Sequence, residues 1–116
     1  MKLKYYHNPR CRKSRETLQY LKELGYEPEL ILYLKNPPTF EELKDVIGKL
    51  GIKPLELIRK NESIYKEKYK GKEYSDDEWI RIMIENPKLI ERPIIISESK
   101  AVIGRPKEKV HEIIGK

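Results

Sequence analysis

The chain has 116 residues, a length that suits one domain with a modest core and no need of disulfide or metal staples. Charged residues make up 38% and hydrophobic ones 38%, so the chain carries enough apolar material to fold and is not a disordered tail. The formal charge of +6 points to an anionic partner. Charge alone does not separate a nucleic acid from a small oxyanion. The lysines are dispersed and often four residues from a glutamate, as on a solvated surface, which ranks nucleic-acid binding low.

The opening run LKYYH, residues 3 to 7, predicts a short strand, and NPRC is a polar, proline-containing turn that ends it. A helix follows from about Arg12 to Leu24, with Leu18, Leu21 and Leu24 on one face and Gly25 placed to close it. LILYL, residues 30 to 34, is apolar throughout, as a strand covered on both faces would be. The first third therefore reads β-α-β with parallel strands, its strand-to-helix turn opening at their carboxyl ends, where ligands commonly bind.

Thr39 with Glu42 forms a capping box ahead of Leu43, Val46, Ile47 and Leu50, which recur at helical spacing before Gly51. Pro54 opens a short helix through Ile58, and Ser75 with Glu78 caps another that turns Trp79, Ile82 and Met83 inward. PIIIS (93 to 97) and AVIG (101 to 104) flank ESK as an antiparallel hairpin. A last helix begins near Pro106, with Val110, Ile113 and Ile114 on one side. The order is β-α-β, a helical insert at about 39 to 88, then β-β-α with a mixed central sheet. That is the thioredoxin-like plan in a single α/β domain spanning 1 to 116, and it does not by itself fix a function.

Cys11 is the only cysteine, so no internal disulfide forms. A free thiol, an N-terminus without a signal-peptide pattern and the lack of any apolar run of about 18 residues predict a cytosolic protein that neither enters nor crosses a membrane. The thiol stands where a strand meets a helix. Free amides and the helix dipole favour a thiolate there, and Arg10, Arg12, Lys13 and Arg15 add positive field. Arg12 and the loop amides together suit an anion nest. Ser14 makes the motif Cys-x-x-Ser, without a second thiol; it either donates to the sulfur or is a solvated first-turn serine. His7 either supports the thiolate when protonated or is structural. Asn8 either braces the turn through its side-chain amide or has no special role there. One cysteine with the separated His7 and His111 offers no metal-ligand spacing.

HNPRCRKSRETL resembles the active-site loop of the glutaredoxin-linked arsenate reductase (ArsC) family. LYLKNPPTFEEL, LIRKN, NPKLIERPIII and VIGRPKE resemble further blocks of that family in the same order, over nearly the whole chain. The family's fold is thioredoxin-like with a helical insert. The resemblance implies that Cys11 attacks arsenate to form a covalent adduct, that glutathione then adds as co-substrate, and that glutaredoxin completes reduction to arsenite. No tightly bound cofactor and a monomer are expected. It also assigns oxyanion binding to Arg59, Arg92 and Arg105, a sensible choice because planar guanidiniums match a tetrahedral oxyanion with paired donors. Each arginine taken alone reads as a surface ion pair. The resemblance further implies a cis Arg92–Pro93 bond facing the cysteine, where the residues alone suit a trans proline at a strand's first position. The chain departs from the family at Cys11-Arg12-Lys13-Ser14, where characterised members carry Cys-Gly-Thr-Ser. Two other readings stand beside the reductase. One is an Spx-like regulator that binds RNA polymerase, which LIERPIII also resembles but which senses redox state through two cysteines. The other is a glutathione-dependent thiol-disulfide exchanger.

Overall fold

In the computed structural model, which describes residues 2 to 115, four strands form one mixed sheet in the order β2-β1-β3-β4. They are β1 (Lys4–Tyr6), β2 (Glu29–Ile31), β3 (Ile94–Ile96) and β4 (Ala101–Ile103). β1 pairs parallel with β2 and antiparallel with β3, and β3 pairs antiparallel with β4. The helices are α1 (Arg12–Glu23), α2 (Phe40–Leu50), α3 (Asp76–Glu85) and the short α4 (His111–Ile114).

Strand alternation assigns the two faces of the sheet. Tyr5 and Ile95 look toward α1 and the C-terminal helical turns, packing with Leu18, Leu21, Val110, Ile113 and Ile114. Tyr6, Ile94 and Ile96 look the other way, into a larger core with Leu43, Val46 and Ile47 of α2 and Trp79, Ile80, Ile82 and Met83 of α3. The helices between β2 and β3 are thus not a separate lobe; they cover one face of the sheet.

Local signals hold where they are self-contained. Thr39 and Ser75 both close full capping boxes, with Glu42 and Glu78. Gly25 follows α1 at a φ of +94°, a conformation open to glycine. Two expectations are corrected. Leu24 is exposed rather than facing Leu18 and Leu21, because two three-residue steps at about 100° per residue carry it about 120° round the helix from Leu18. The buried positions of α1 are instead Ser14, Thr17, Leu18 and Leu21. The strand expected over 30 to 34 and covered on both faces is a three-residue edge strand with Leu30 exposed, followed by a turn that exposes Leu34 and buries Tyr33. β2 is the edge strand among the described residues, so apolar composition there did not mean burial.

The remaining differences are shorter elements. The helix from Pro54 is a 3-10 turn ending at Leu57, and the last helix starts as a 3-10 turn, Lys107–Val110, that runs on into α4. Tyr65–Tyr69 forms a single π turn, closed by the Lys70 amide on the Tyr65 carbonyl. It was not expected from periodicity. It sets Tyr65 and Tyr69 against Trp79, with Tyr74 edge-on to the indole at 5.0 Å.

The topology brings four chain segments to one end of the sheet. Register pairs Tyr6 with Ile31 and with Ile94, and Ile94 with Ile103. The exit of β1 toward Cys11, the exit of β2 toward Tyr33, the entry of β3 from Arg92 and the exit of β4 toward Arg105 therefore share an edge.

Candidate active site

The loop from His7 to Ser14 is built on backbone and side-chain hydrogen bonds. Asn8 Oδ1 accepts from the Arg10 amide at 3.0 Å, the Cys11 amide donates to the Asn8 carbonyl at 2.9 Å, and Arg15 Nη1 donates to the Pro9 carbonyl at 2.8 Å. Asn8 and Arg15 thus brace the turn. Cys11 is the N-cap of α1 with extended backbone, and its side chain is buried. The sulfur closes no formal cap hydrogen bond, yet the amides at the helix start face it. Burial pushes the Cys11 thiol up. The Ser14 amide, the nearby Arg92 guanidinium and the Lys13 amide together outweigh burial, so the thiol lies below its ordinary value.

Ser14 does not reach the sulfur with its hydroxyl. It is fully buried, with Oγ 2.7 Å from His7 Nδ1 and accepting from the Asn8 amide at 3.1 Å, while its carbonyl accepts from the Tyr5 hydroxyl at 2.6 Å. The residue pins the first turn of α1 to β1. His7 is buried as well, and burial, then Lys22 and Arg15, lower its pKa. The shift favours the neutral ring, so of the two readings of His7 the geometry fits the structural one, a partner of Ser14.

Of the basic residues near Cys11 in sequence, Arg12 does not join the site. Its side chain is 83% exposed and pairs with Glu16 at 3.0 Å, because position 12 opens the outward face of α1. The charge at the sulfur comes from Arg92, 81 positions later in the chain by its number, whose side chain is 12% exposed. Its Nε and Nη1 are buried without a hydrogen-bond partner among the described residues. Arg92 precedes Pro93 through a cis peptide bond, as the resemblance implied, and a second cis bond joins Arg105 and Pro106.

Arg59 arrives by a pairing that the sequence did not show. Ile58 and Ile90 form an isolated antiparallel bridge, with the Arg59 amide on the Leu89 carbonyl at 2.8 Å and the Glu91 amide on the Leu57 carbonyl at 2.9 Å. That clamp sets Arg59 beside Glu91 and Arg92. Arg105 approaches from the end of β4. All three guanidiniums converge on one atom, Glu91 Oε1: Arg105 Nη1 at 3.3 Å, Arg92 Nη1 at 3.5 Å and Arg59 Nε at 3.9 Å. Arg59 also holds Glu62 at 2.8 Å.

Two residues of this site were missed from sequence. Glu91 lies inside the ERP motif, and its acidic character beside Arg92 is the signal the sequence offers. From sequence Tyr33 reads as one more apolar residue of a strand. It is buried and stacked on Tyr6, and burial raises its pKa to about 12; Arg92 and Arg59 act against that rise, Cys11 and Glu91 with it. The phenol therefore stays protonated and faces the same group of charges as the thiol.

Residues 6–113 match the ArsC family. This chain is a member of the ArsC family. Among relatives of this ArsC protein, YfgD of Escherichia coli K12 is 50% identical over 115 residues, with 97% of each chain covered. A Neisseria meningitidis protein named arsenate reductase is 38% identical over 114 residues, again with 97% of each chain covered. A solved structure named arsenate reductase from Vibrio cholerae superposes with a TM-score of 0.93 at 45% identity, covering 97% of this ArsC chain and 98% of the other. With these neighbours the four-stranded mixed sheet and its flanking helices are the thioredoxin-like fold of the family.

Proposed function

We propose that the protein is an arsenate reductase-type oxidoreductase that uses Cys11 as its single nucleophile and takes its electrons from glutathione and glutaredoxin. The observation that carries this reading is the placement of Arg92 against a thiol of lowered pKa, with Arg59 and Arg105 converging beside it. A thiolate supplies the nucleophile at neutral pH, and permanently charged planar donors match the oxygens of a tetrahedral oxyanion.

In the first step the Cys11 thiolate forms a sulfur–arsenic bond and one arsenic oxygen leaves as water after protonation; arsenic remains pentavalent. A glutathione thiol then displaces a second oxygen as water. A glutaredoxin thiolate attacks the glutathione sulfur, the glutathione sulfur–arsenic bond breaks, and its electron pair reduces arsenic to the trivalent state while the two sulfurs become a mixed disulfide. Hydrolysis releases arsenite and returns Cys11. Guanidiniums around the adduct offset the negative charge that builds on its oxygens.

A second reading has an observation of its own. Glu62 and Glu91 offset part of the charge of the arginine cluster, which suits a singly charged carboxylate such as those of glutathione. Cys11 would then exchange thiols with a glutathionylated protein. Arsenite formation from arsenate with reduced glutathione and glutaredoxin, compared between the wild type and Cys11→Ser, tests both. Turnover that disappears in Cys11→Ser supports the reductase, and wild-type rates in that variant sink the mechanism. A reactive Cys11 with deglutathionylating activity and no arsenite identifies the exchanger.

A further inference from the structure

The three arginines do not stand open to an incoming anion; they already share one. Glu91 is held by donors from three separate parts of the chain, including its neighbour's amide, Arg92 N–H, at 3.3 Å from Oε1. None of these contacts is tight. Charge-assisted nitrogen–oxygen hydrogen bonds run at about 2.7–2.9 Å, and the cluster contains one of that kind, Arg59 to Glu62 at 2.8 Å. The contacts to Glu91 run from 3.3 to 3.9 Å, all to Oε1, with no arginine giving the paired, fork-like geometry it can give a carboxylate. At the same time Nε and Nη1 of Arg92 remain buried with no hydrogen-bond partner among the described residues. Buried donors left in that condition are costly. A carboxylate that attracts three guanidiniums while satisfying none of them fully is poorly matched to a permanent structural role and well matched to a place that another anion takes over.

We propose that Glu91 is a built-in competing anion for the arginine site: its carboxylate occupies the point where an oxyanion binds, and it must be displaced, or its charge tolerated, when a tetrahedral oxyanion engages Arg59, Arg92 and Arg105. Glu91 thereby sets how tightly, and with what charge, an anion is held beside Cys11. The inference rests on the reading of the arginine cluster as an oxyanion site. It concerns affinity and selectivity and leaves the chemistry at sulfur to Cys11, so Glu91 is a positioning and specificity residue.

Inorganic phosphate, a tetrahedral oxyanion that Cys11 does not reduce, is the probe. The rate of Cys11 alkylation by iodoacetamide is measured against phosphate concentration at constant ionic strength, in the wild type, Glu91→Gln and Glu91→Asp. Removing the charge with an isosteric amide is expected to lower the apparent phosphate dissociation constant at least tenfold, equivalent to about 1.4 kcal/mol. Glu91→Asp, which withdraws the carboxylate by one methylene, is expected to lower it by a smaller factor. In arsenate turnover the same substitution lowers KM more than it changes kcat. Unchanged or weaker phosphate protection in Glu91→Gln overturns the proposal, because a carboxylate that merely organises the arginines loses binding when neutralised. Should Glu91→Gln fail to fold, tightening in Glu91→Asp decides, and its absence likewise overturns. Failure of the reductase reading looks different: arsenite is not formed, while phosphate protection still tightens in Glu91→Gln.

Discussion

At the residue scale the site is an argument about one thiol. The helix start and its amides are visible beside Cys11 in sequence, but the charge that lowers its pKa belongs to Arg92, not to the flanking Arg12. Below the lowered pKa the sulfur is protonated and inert to alkylation; as pH rises through it the thiolate forms and reactivity climbs. The pH profile of iodoacetamide alkylation should therefore have its midpoint below that of an ordinary cysteine thiol. Arg92→Ala removes a charge that favours the thiolate, so the midpoint should move upward, whereas Arg12→Ala should leave it in place. A midpoint that ignores Arg92 contradicts the electrostatic account. Ser14 and His7 show the opposite lesson. Polar residues beside a nucleophile invite a chemical role, yet burial and mutual hydrogen bonding make them the pin between β1 and α1.

At the element scale, signals contained within one turn were legible. Thr39 with Glu42 and Ser75 with Glu78 begin α2 and α3 as read, because a capping box is complete within four residues. Ser75→Ala frees the Glu78 amide, and the protein should lose about 1 kcal/mol of stability in urea unfolding. Loss well below that would mean that packing of Trp79 and Met83 against the sheet, rather than the cap, defines the helix start. Elements whose burial depends on neighbours were less legible. LILYL has an apolar pattern equally suited to a central strand, and its place at the sheet edge, with Leu30 exposed, is set by the topology.

At the scale of the whole molecule the site depends on the close approach of α1, β3 and β4. Gly104 sits at that junction: its amide donates to the Pro93 carbonyl at 2.9 Å and its carbonyl accepts from Thr17 Oγ1 at 2.8 Å. A Cβ there would lie 2.6 Å from Ile95 Cδ1 and 2.8 Å from Thr17 Cγ2. Ile95 has some freedom to turn away, but Thr17 is fixed by its hydrogen bond. Gly104→Ala should therefore cost about 1–3 kcal/mol in urea unfolding through overpacking, and it should slow Cys11-dependent turnover, because Arg105 follows directly. An unchanged unfolding midpoint would show that the junction yields.

The sequence by itself determined the starts of α1, α2 and α3 and the β-α-β and β-β-α halves, and it singled out Cys11 and the three arginines as candidates, the last through motifs that resemble the ArsC family. Those features are encoded in short stretches, where backbone hydrogen bonding and side-chain periodicity act over a few residues. Only the tertiary structure decided that Arg92 rather than Arg12 faces the sulfur, that Tyr33 joins the site, and that Glu91 stands at the centre of the arginines. Each of these joins residues far apart in the chain, through strand register and the Ile58–Ile90 bridge. The physical reason is that charge acts through distance in space, and no local pattern of residues carries that distance.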